Sequence, residues 1–504
     1  MKFNKKLVVL AAAGALGAVT AMPAMAFENE FHGMYKLKYF ISNYETGGGG
    51  PLVPGLPLSS ETTQNLRTNN YFEQRARLFY TAKANDDLKL VTAFEIDSVW
   101  GDNAQGSIYK PVTTAGGPTY RNNGGAMESD AVNLETKWVY LDFKIPGTPT
   151  RMTVGIQPFK DQLKGIFLDA DVAGVMTNTK LGATTLNVGY LRPYDNSYAD
   201  LQGSATANGL PRGVYDLDMG VIEAKYAVSK DLNVGGAYYL YADGRSTTYG
   251  TQTTIATMIH TIGLTADAKV GALALSGFAA YQGGVFRGVN ANGDSAYLNA
   301  LAYNVAAKMP IGPGSFRTAL LFTSGNAENT GKHLTGWVGT AQSKNSNWDY
   351  KSPGTSTYNE SGMLLLNRNA AAGAGTTDYA IAYNPGNGTN PGDMQGLYLY
   401  TLGYDATITP KCYANLNVGF GWAAHTNGLK PTDKDTDSKN ASNFMGTEIN
   451  IETGYKMYDN LTAVVQAGYV ILGGYYKNSV LNGAGSAADP ENPYTARLGL
   501  NYLF

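Results

Sequence analysis

The sequence predicts an all-β chain: a transmembrane, antiparallel, up-and-down β-barrel of about 18 strands, with 16 as the alternative. Three observations predict it. Apolar and polar residues alternate with period two through many segments of strand length. No segment beyond residue 26 approaches the ~20 apolar residues of a helical span. Short turns on one side alternate with long polar connections on the other. Composition agrees: mean hydropathy is −0.22, because alternation cancels the average. Tyrosine outnumbers phenylalanine 35 to 17, which suits membrane interfaces, where one end of the ring is apolar and the other wet. The 61 glycines suit turns and crowded barrel interiors. A formal charge of −2 argues against a nucleic-acid partner, which normally meets a basic surface.

At the N-terminus, Lys2, Lys5 and Lys6 precede an apolar run over 7–21, and Ala24-Met25-Ala26 supplies small residues before a cut. This predicts a secretory signal peptide over 1–26, with Phe27 first in the mature chain. The run is too short for a membrane anchor. The one cysteine, Cys412, stands far from the cut and excludes both a lipobox and an intrachain disulfide framework. Residues 27–504 are then expected to form one barrel domain.

The first strand is expected over 30–42, with Phe31, Tyr35, Leu37, Tyr39 and Ile41 on one face. Four hairpins fix the parity of the later strands. Asn85-Asp86-Asp87 as a three-residue turn pairs Leu78 with Phe94, Arg77 with Glu95 and Arg75 with Asp97. Ser229-Lys230-Asp231 pairs Tyr226 with Val234, and Tyr458-Asp459-Asn460 pairs Tyr455 with Ala463. Pro410-Lys411-Cys412 is expected to pair Ile408 with Ala414. In each case apolar meets apolar, whereas a one-residue slip would reverse every side chain. Four further turns lie at 146–150, 179–183, about 269–271 and 310–314. Eight turns join strands two to seventeen; the first and last make eighteen. The least marked strands fall near 170–179, 272–282 and 296–309. The longest connection, about 325–395, contains the strand-like 362–366, which the count leaves within the loop.

The last strand runs from Tyr494. Tyr494, Ala496, Leu498, Leu500, Tyr502 and Phe504 share one face, while Thr495, Arg497, Gly499, Asn501 and Leu503 lie on the other. Arg497, Gly499, Tyr502 and Phe504 resemble the C-terminal assembly signal of outer-membrane β-barrel proteins. An ordinary amphipathic edge strand is the plainer alternative for this segment taken alone.

If Leu78 and Phe94 face lipid, the residues between them face the lumen. The parity rule then places Glu73, Arg75, Arg77, Glu95, Asp97, Asp142, Lys144, Arg151, Glu223, Lys225, Arg317, Asp405, Glu448, Glu452, Lys456 and Arg497 inward. A dry core would have to pair each of these charges, whereas a wet bore screens them. The signs nearly balance, so strong ion selectivity does not follow. Each opposite-charge pair fits wall stiffening at least as well as selectivity. Two segments are candidates for a constriction: 160–171, and the 325–395 loop with Trp337, Trp348, Tyr350 and the apolar 363–366. Covering the barrel mouth or contacting another subunit would serve the longer loop equally well.

The Arg75-x-Arg77 strand with its Glu95-x-Asp97 partner, the segment Val139-Tyr140-Leu141-Asp142-Phe143, the strand Val154-Gly155-Ile156-Gln157 and the terminal Phe504 resemble a Gram-negative outer-membrane porin. The likeness is nearest to OmpJ-like porins of anaerobic metal-reducing bacteria. It covers the whole mature chain through diffuse motifs. It implies passive solute diffusion, assembly by the outer-membrane barrel machinery, and often a trimer; it names no substrate.

Other functions find less support. His32, His260, His333 and His425 are scattered and stand in no Ser/Asp constellation, so an enzyme is not expected. Gly47–Gly50 and Gly483-x-Gly485 lack the strand–glycine–helix context of a phosphate site. Asp433, Asp435 and Asp437 fit a solvated loop better than a Ca²⁺ site. Without Cys-x-x-Cys-His the chain carries no covalent haem. No cofactor is expected, although a barrel sheathing a partner cytochrome is the alternative function. The facing assignment expects Leu500→Arg to cost up to about 2–4 kcal/mol near the bilayer midplane, and Arg497→Ala to leave folding intact. Chemical unfolding in lipid measures both.

Overall fold

The computed structural model describes residues 28–45, 68–101, 134–195, 216–244, 247–249, 252–254, 256–287, 295–327, 332–339, 358–367, 395–425, 442–478, 480–481 and 487–504. The signal-peptide segment, Trp348, Tyr350, the Asp433–Asp437 cluster and the loop glycines at 47–50, 483 and 485 lie outside the described residues.

Eighteen long strands make the wall. They are β1 (Glu28–Ser42), β2 (Asn69–Asn85), β3 (Leu88–Val99), β4 (Glu135–Lys144), β5 (Thr150–Lys160) and β6 (Asp169–Leu181). Next come β7 (Thr184–Asp195), β8 (Asp216–Ser229), β9 (Leu232–Asp243), β10 (Ala256–Val270), β11 (Leu273–Arg287) and β12 (Ala296–Ile311). The last six are β13 (Gly314–Thr323), β14 (Leu397–Thr409), β15 (Cys412–Ala423), β16 (Phe444–Tyr458), β17 (Leu461–Leu472) and β18 (Tyr494–Leu503). Each pairs antiparallel with the next, and β18 pairs with β1 with Leu500 opposite Leu37. The cylinder is therefore closed and has 18 strands, not 16. A short stretch, His333–Leu334, adds parallel to β12. At the seam Gly33 N–H donates to Phe504 O at 2.8 Å and Phe504 N–H to Gly33 O at 3.0 Å. The terminal ring lies over Gly33, where an added Cβ would come within 2.2 Å of it. The last residue is thus hydrogen-bonded into the first strand.

The registers across three of the expected hairpins hold: Leu78 faces Phe94, Tyr226 faces Val234 and Tyr455 faces Ala463. The turns themselves are tighter than expected. Only Asp86-Asp87, Lys230-Asp231 and Asp459-Asn460 stand outside the strands. The register shifts one step before each of them, at 84, 228 and 457. A bulge plus a two-residue turn keeps the parity of a three-residue turn, because it leaves the same odd number of residues out of register. The fourth hairpin corrects the expectation. Ala414 pairs with Ala406 and not with Ile408, because Cys412 joins β15 and the bulge falls at 408. The slip is two residues, so every side chain keeps its face.

Outward residues are apolar and exposed: Leu264 is 67% accessible, Val305 59% and Leu498 56%. So much continuous apolar surface calls for a lipid solvent. Rings pair across strands toward the long-loop rim, as in Phe72–Trp100 at 4.7 Å and Phe322–Tyr398 at 4.5 Å. Residues of the other parity are mostly buried or half-buried. Their burial comes largely from chain folded into the lumen.

Candidate functional site: the lumen and its inner loops

Among the described residues, two connections on the long-loop side cross into the barrel. The first is 161–168, between β5 and β6. Asp161 accepts backbone hydrogen bonds from Gly165 at 2.9 Å, Phe167 at 2.8 Å and Leu168 at 2.5 Å. This fixes a tight loop with Leu163, Ile166 and Phe167 on its surface. Burial pushes the Asp161 carboxyl up to about 6, against the opposing pull of those backbone donors. Gln162 N–H reaches Tyr239 Oη at 2.9 Å and Glu223 Oε1 at 3.2 Å. The loop is thereby pinned to the inner faces of β8 and β9.

The second comes from the long 324–396 connection. Trp337 and Val338 dock through Gln282 of β11, which exchanges hydrogen bonds with Val338 at 2.6 and 2.9 Å. Residues 358–367 run on across the wall. Glu448 of β16 accepts the backbone N–H groups of Leu364 at 2.7 Å, Leu365 at 3.0 Å and Leu366 at 2.5 Å. Asn450 donates to Gly362 O at 3.0 Å. Glycine shapes the wall for these side chains. A Cβ at Gly263 would stand 2.5 Å from Leu163, and one at Gly419 2.3 Å from Met363. Segments that touch this face of β8 to β17 can lie only inside a closed cylinder. The described parts of both sequence candidates for a constriction therefore fold inward, and they meet. Trp337 Nε1 donates to Ile166 O at 3.4 Å, and Lys164 Nζ lies 2.6 and 2.7 Å from the two Glu360 oxygens. Leu163, Ile166, Phe167, Trp337, Tyr358 and 363–366 form one apolar cluster with inward wall residues.

Ion pairs line the remaining arc of the wall and also β12 to β14 beside the inner loop. Arg75 binds Asp97 at 2.6 Å through Nε and lies 3.4 Å from Glu95. Arg77 pairs with Glu95, and Arg151 with Asp142, which also lies 3.4 Å from Lys89. Arg317 Nε bonds Asp405 at 3.1 Å, Lys308 lies 3.7 Å from the same carboxylate, and Arg317 Nη1 donates to Glu360 O at 3.2 Å. Glu452 accepts from Tyr413 at 3.0 Å and from Gln466. Lys144, Lys225 and Lys456 are exposed near the short-turn rim. A cavity of about 830 Å³ adjoins the inner loop, lined by Lys269, Lys308, Arg317, Glu360, Asp405 and their neighbours.

Four of the residues assigned to the wet wall, Glu73, Glu223, Glu448 and Arg497, are at most 4% exposed, Glu223 beneath the 161–168 loop. Glu448 faces inward but is fully buried beneath 364–366. Arg497 is 3% exposed and grips Glu45 through Nε at 3.1 Å and Nη2 at 2.5 Å. Parity fixes the face a side chain takes, but not whether a loop will cover it. Sequence reasoning also missed Glu45, Lys164 and Glu360, which sit in loops without periodicity. Lys36 and Lys38 were within its reach, since they alternate with Tyr35, Leu37 and Tyr39. Lys38 Nζ lies 3.4 Å from Gln466 Oε1, beside the Arg497 site.

Solved structures share this architecture at low sequence identity. Pseudomonas aeruginosa OccK9 (OpdG) matches with a TM-score of 0.51 at 12% identity, over 95% of this chain and 98% of that one. OccK8 (OprE) of the same organism gives 0.49 at 11% identity, over 95% and 98%. Acinetobacter baumannii OccAB4 gives 0.47 at 13% identity, over 96% and 100%. The OccK9 likeness supports the fold of the chain; at these identities none of the three defines a solute. No protein-family model matches the sequence, and a search of curated proteins finds no match.

Two measurements probe the buried carboxylates. Arg497→Ala strands Glu45 without its guanidinium partner and is expected to cost about 3–5 kcal/mol, replacing the tolerance expected from the sequence. Equilibrium unfolding in lipid checks it, with Arg497→Lys recovering part of the loss. Glu448→Gln removes the carboxylate charge that three N–H groups share, at about 1–3 kcal/mol. Hydrogen exchange at the amides of Leu364, Leu365 and Leu366 is expected to quicken while β16 stays protected.

Proposed function

We propose that this chain is an outer-membrane porin, a water-filled channel for passive diffusion of small hydrophilic solutes and ions. The observation that carries the proposal is the reversal of polarity across one wall. Leu264, Val305 and Leu498 face out, while Arg75, Asp97, Arg317 and Asp405 face a lumen that two loops narrow. A closed sheet can place ionised groups on its inner face without Born penalties only if that face is hydrated or paired. Export by a cleaved signal peptide, insertion by the barrel-assembly machinery through Arg497, Gly499, Tyr502 and Phe504, and a homotrimer belong to the same proposal.

The sheath reading, in which the barrel encloses a cytochrome, would need a bore free to admit a protein. Side chains of 161–168 and 358–367 occupying that bore favour the diffusion channel.

In a planar bilayer, detergent-folded protein is expected to give stepwise conductance in KCl. Its mass in detergent is expected to correspond to three copies. Folded protein that stays monodisperse in water without detergent, or gives no steps, would overturn the proposal. Retention of a cytochrome through mild-detergent purification would favour the sheath.

A further inference from the structure

We propose that Lys164 and Glu360 form a charge-neutral clasp in the aqueous path, and that this clasp determines ion discrimination; the inference rests on the channel reading above. Three observations support it. The clasp is a direct ionic link between the two inner loops: Lys164 Nζ contacts both carboxylate oxygens at 2.6 and 2.7 Å. Ser276 of β11 holds the same ammonium at 2.9 Å, and Tyr358 donates to Glu360 Oε2 at 3.1 Å. The pair is thus tied to the wall on one side and to the inner segment on the other.

Water reaches it. The Lys164 and Glu360 side chains are 18% and 38% exposed, and Glu360 lines the lumen cavity. By contrast, Glu448 and the leucines it holds are buried. The clasp therefore stands at the wet margin of an otherwise apolar plug.

The backbone is bent to place the ammonium there. Lys164 has φ +63°, a left-handed conformation that L side chains rarely adopt, and Gly165 follows at +84°. Glycine at 164 would enter this region without strain. A lysine held there satisfies the inference that runs from an observed outlier to a role for the side chain.

While the pair is closed, a passing ion meets little net charge from either partner. Removing one partner leaves the other facing the path. The charge that remains at the clasp should then shift which ion is favoured, against an unchanged background of Arg317 and Lys308 around Asp405 at 3.1 and 3.7 Å.

Reversal potentials in a KCl gradient test this with Lys164→Gln, Glu360→Gln and the double variant, each first shown to be folded by β-sheet circular dichroism. Lys164→Gln is expected to raise cation over anion permeability about threefold, and Glu360→Gln to shift it by a similar factor the other way. The double variant is expected to return to the wild-type ratio, and molar salt to shrink both shifts. Wild-type steps combined with unchanged or same-direction shifts in the two single variants would overturn the clasp alone. Absence of steps in the wild type would overturn the channel reading, and the clasp with it.

Discussion

Closure of the backbone hydrogen-bond ladder is the constraint on which the rest depends. In hydrocarbon an unpaired N–H or C=O costs several kcal/mol, and a sheet edge carries a row of them. Pairing of β1 with β18 removes both edges, down to the exchange between Gly33 and Phe504. Once the cylinder is closed, every strand has one face in lipid and one in the bore, and period-two alternation becomes compulsory. The bulges at 84, 228, 408 and 457 serve the same end. They admit tight turns at the rim without exchanging the two faces.

The bore holds two kinds of interior. Over β8 to β17 the inner loops make a small protein core, with leucines and aromatics seated against glycines and anchored by carboxylates that accept backbone N–H groups. Asp161 does this for its own loop, and Glu448 does it across the wall for 364–366. Charge-assisted hydrogen bonds to backbone donors are strong and directional, which suits them to fixing loops that have no ladder of their own. Over β1 to β5 the wall stays charged, and Arg75, Arg77, Glu95 and Asp97 form a network. Such a network stiffens the wall and leaves little net charge.

Much of the wall was legible in the sequence. Leu78 opposite Phe94, and Arg75 opposite Asp97, follow from where Asp86 and Asp87 fall, since a face once assigned propagates along a strand. The fourth hairpin shows the limit. Placing Cys412 in the turn rather than in β15 moved the register by two residues while keeping its parity, so the error left no trace in the hydropathy pattern.

What the sequence by itself determined is an antiparallel wall of about 18 strands, with 16 left open, and the sidedness of its residues, because period-two hydropathy and local turn chemistry act over a few neighbouring positions. Only the tertiary structure decided what fills the bore. The meeting of Lys164 with Glu360, the burial of Glu448 and Arg497, and the pairing of Glu45 with a residue 452 positions away depend on contacts across the lumen. Such contacts leave no periodic mark, since an irregular loop is held by individual hydrogen bonds and not by a repeating ladder.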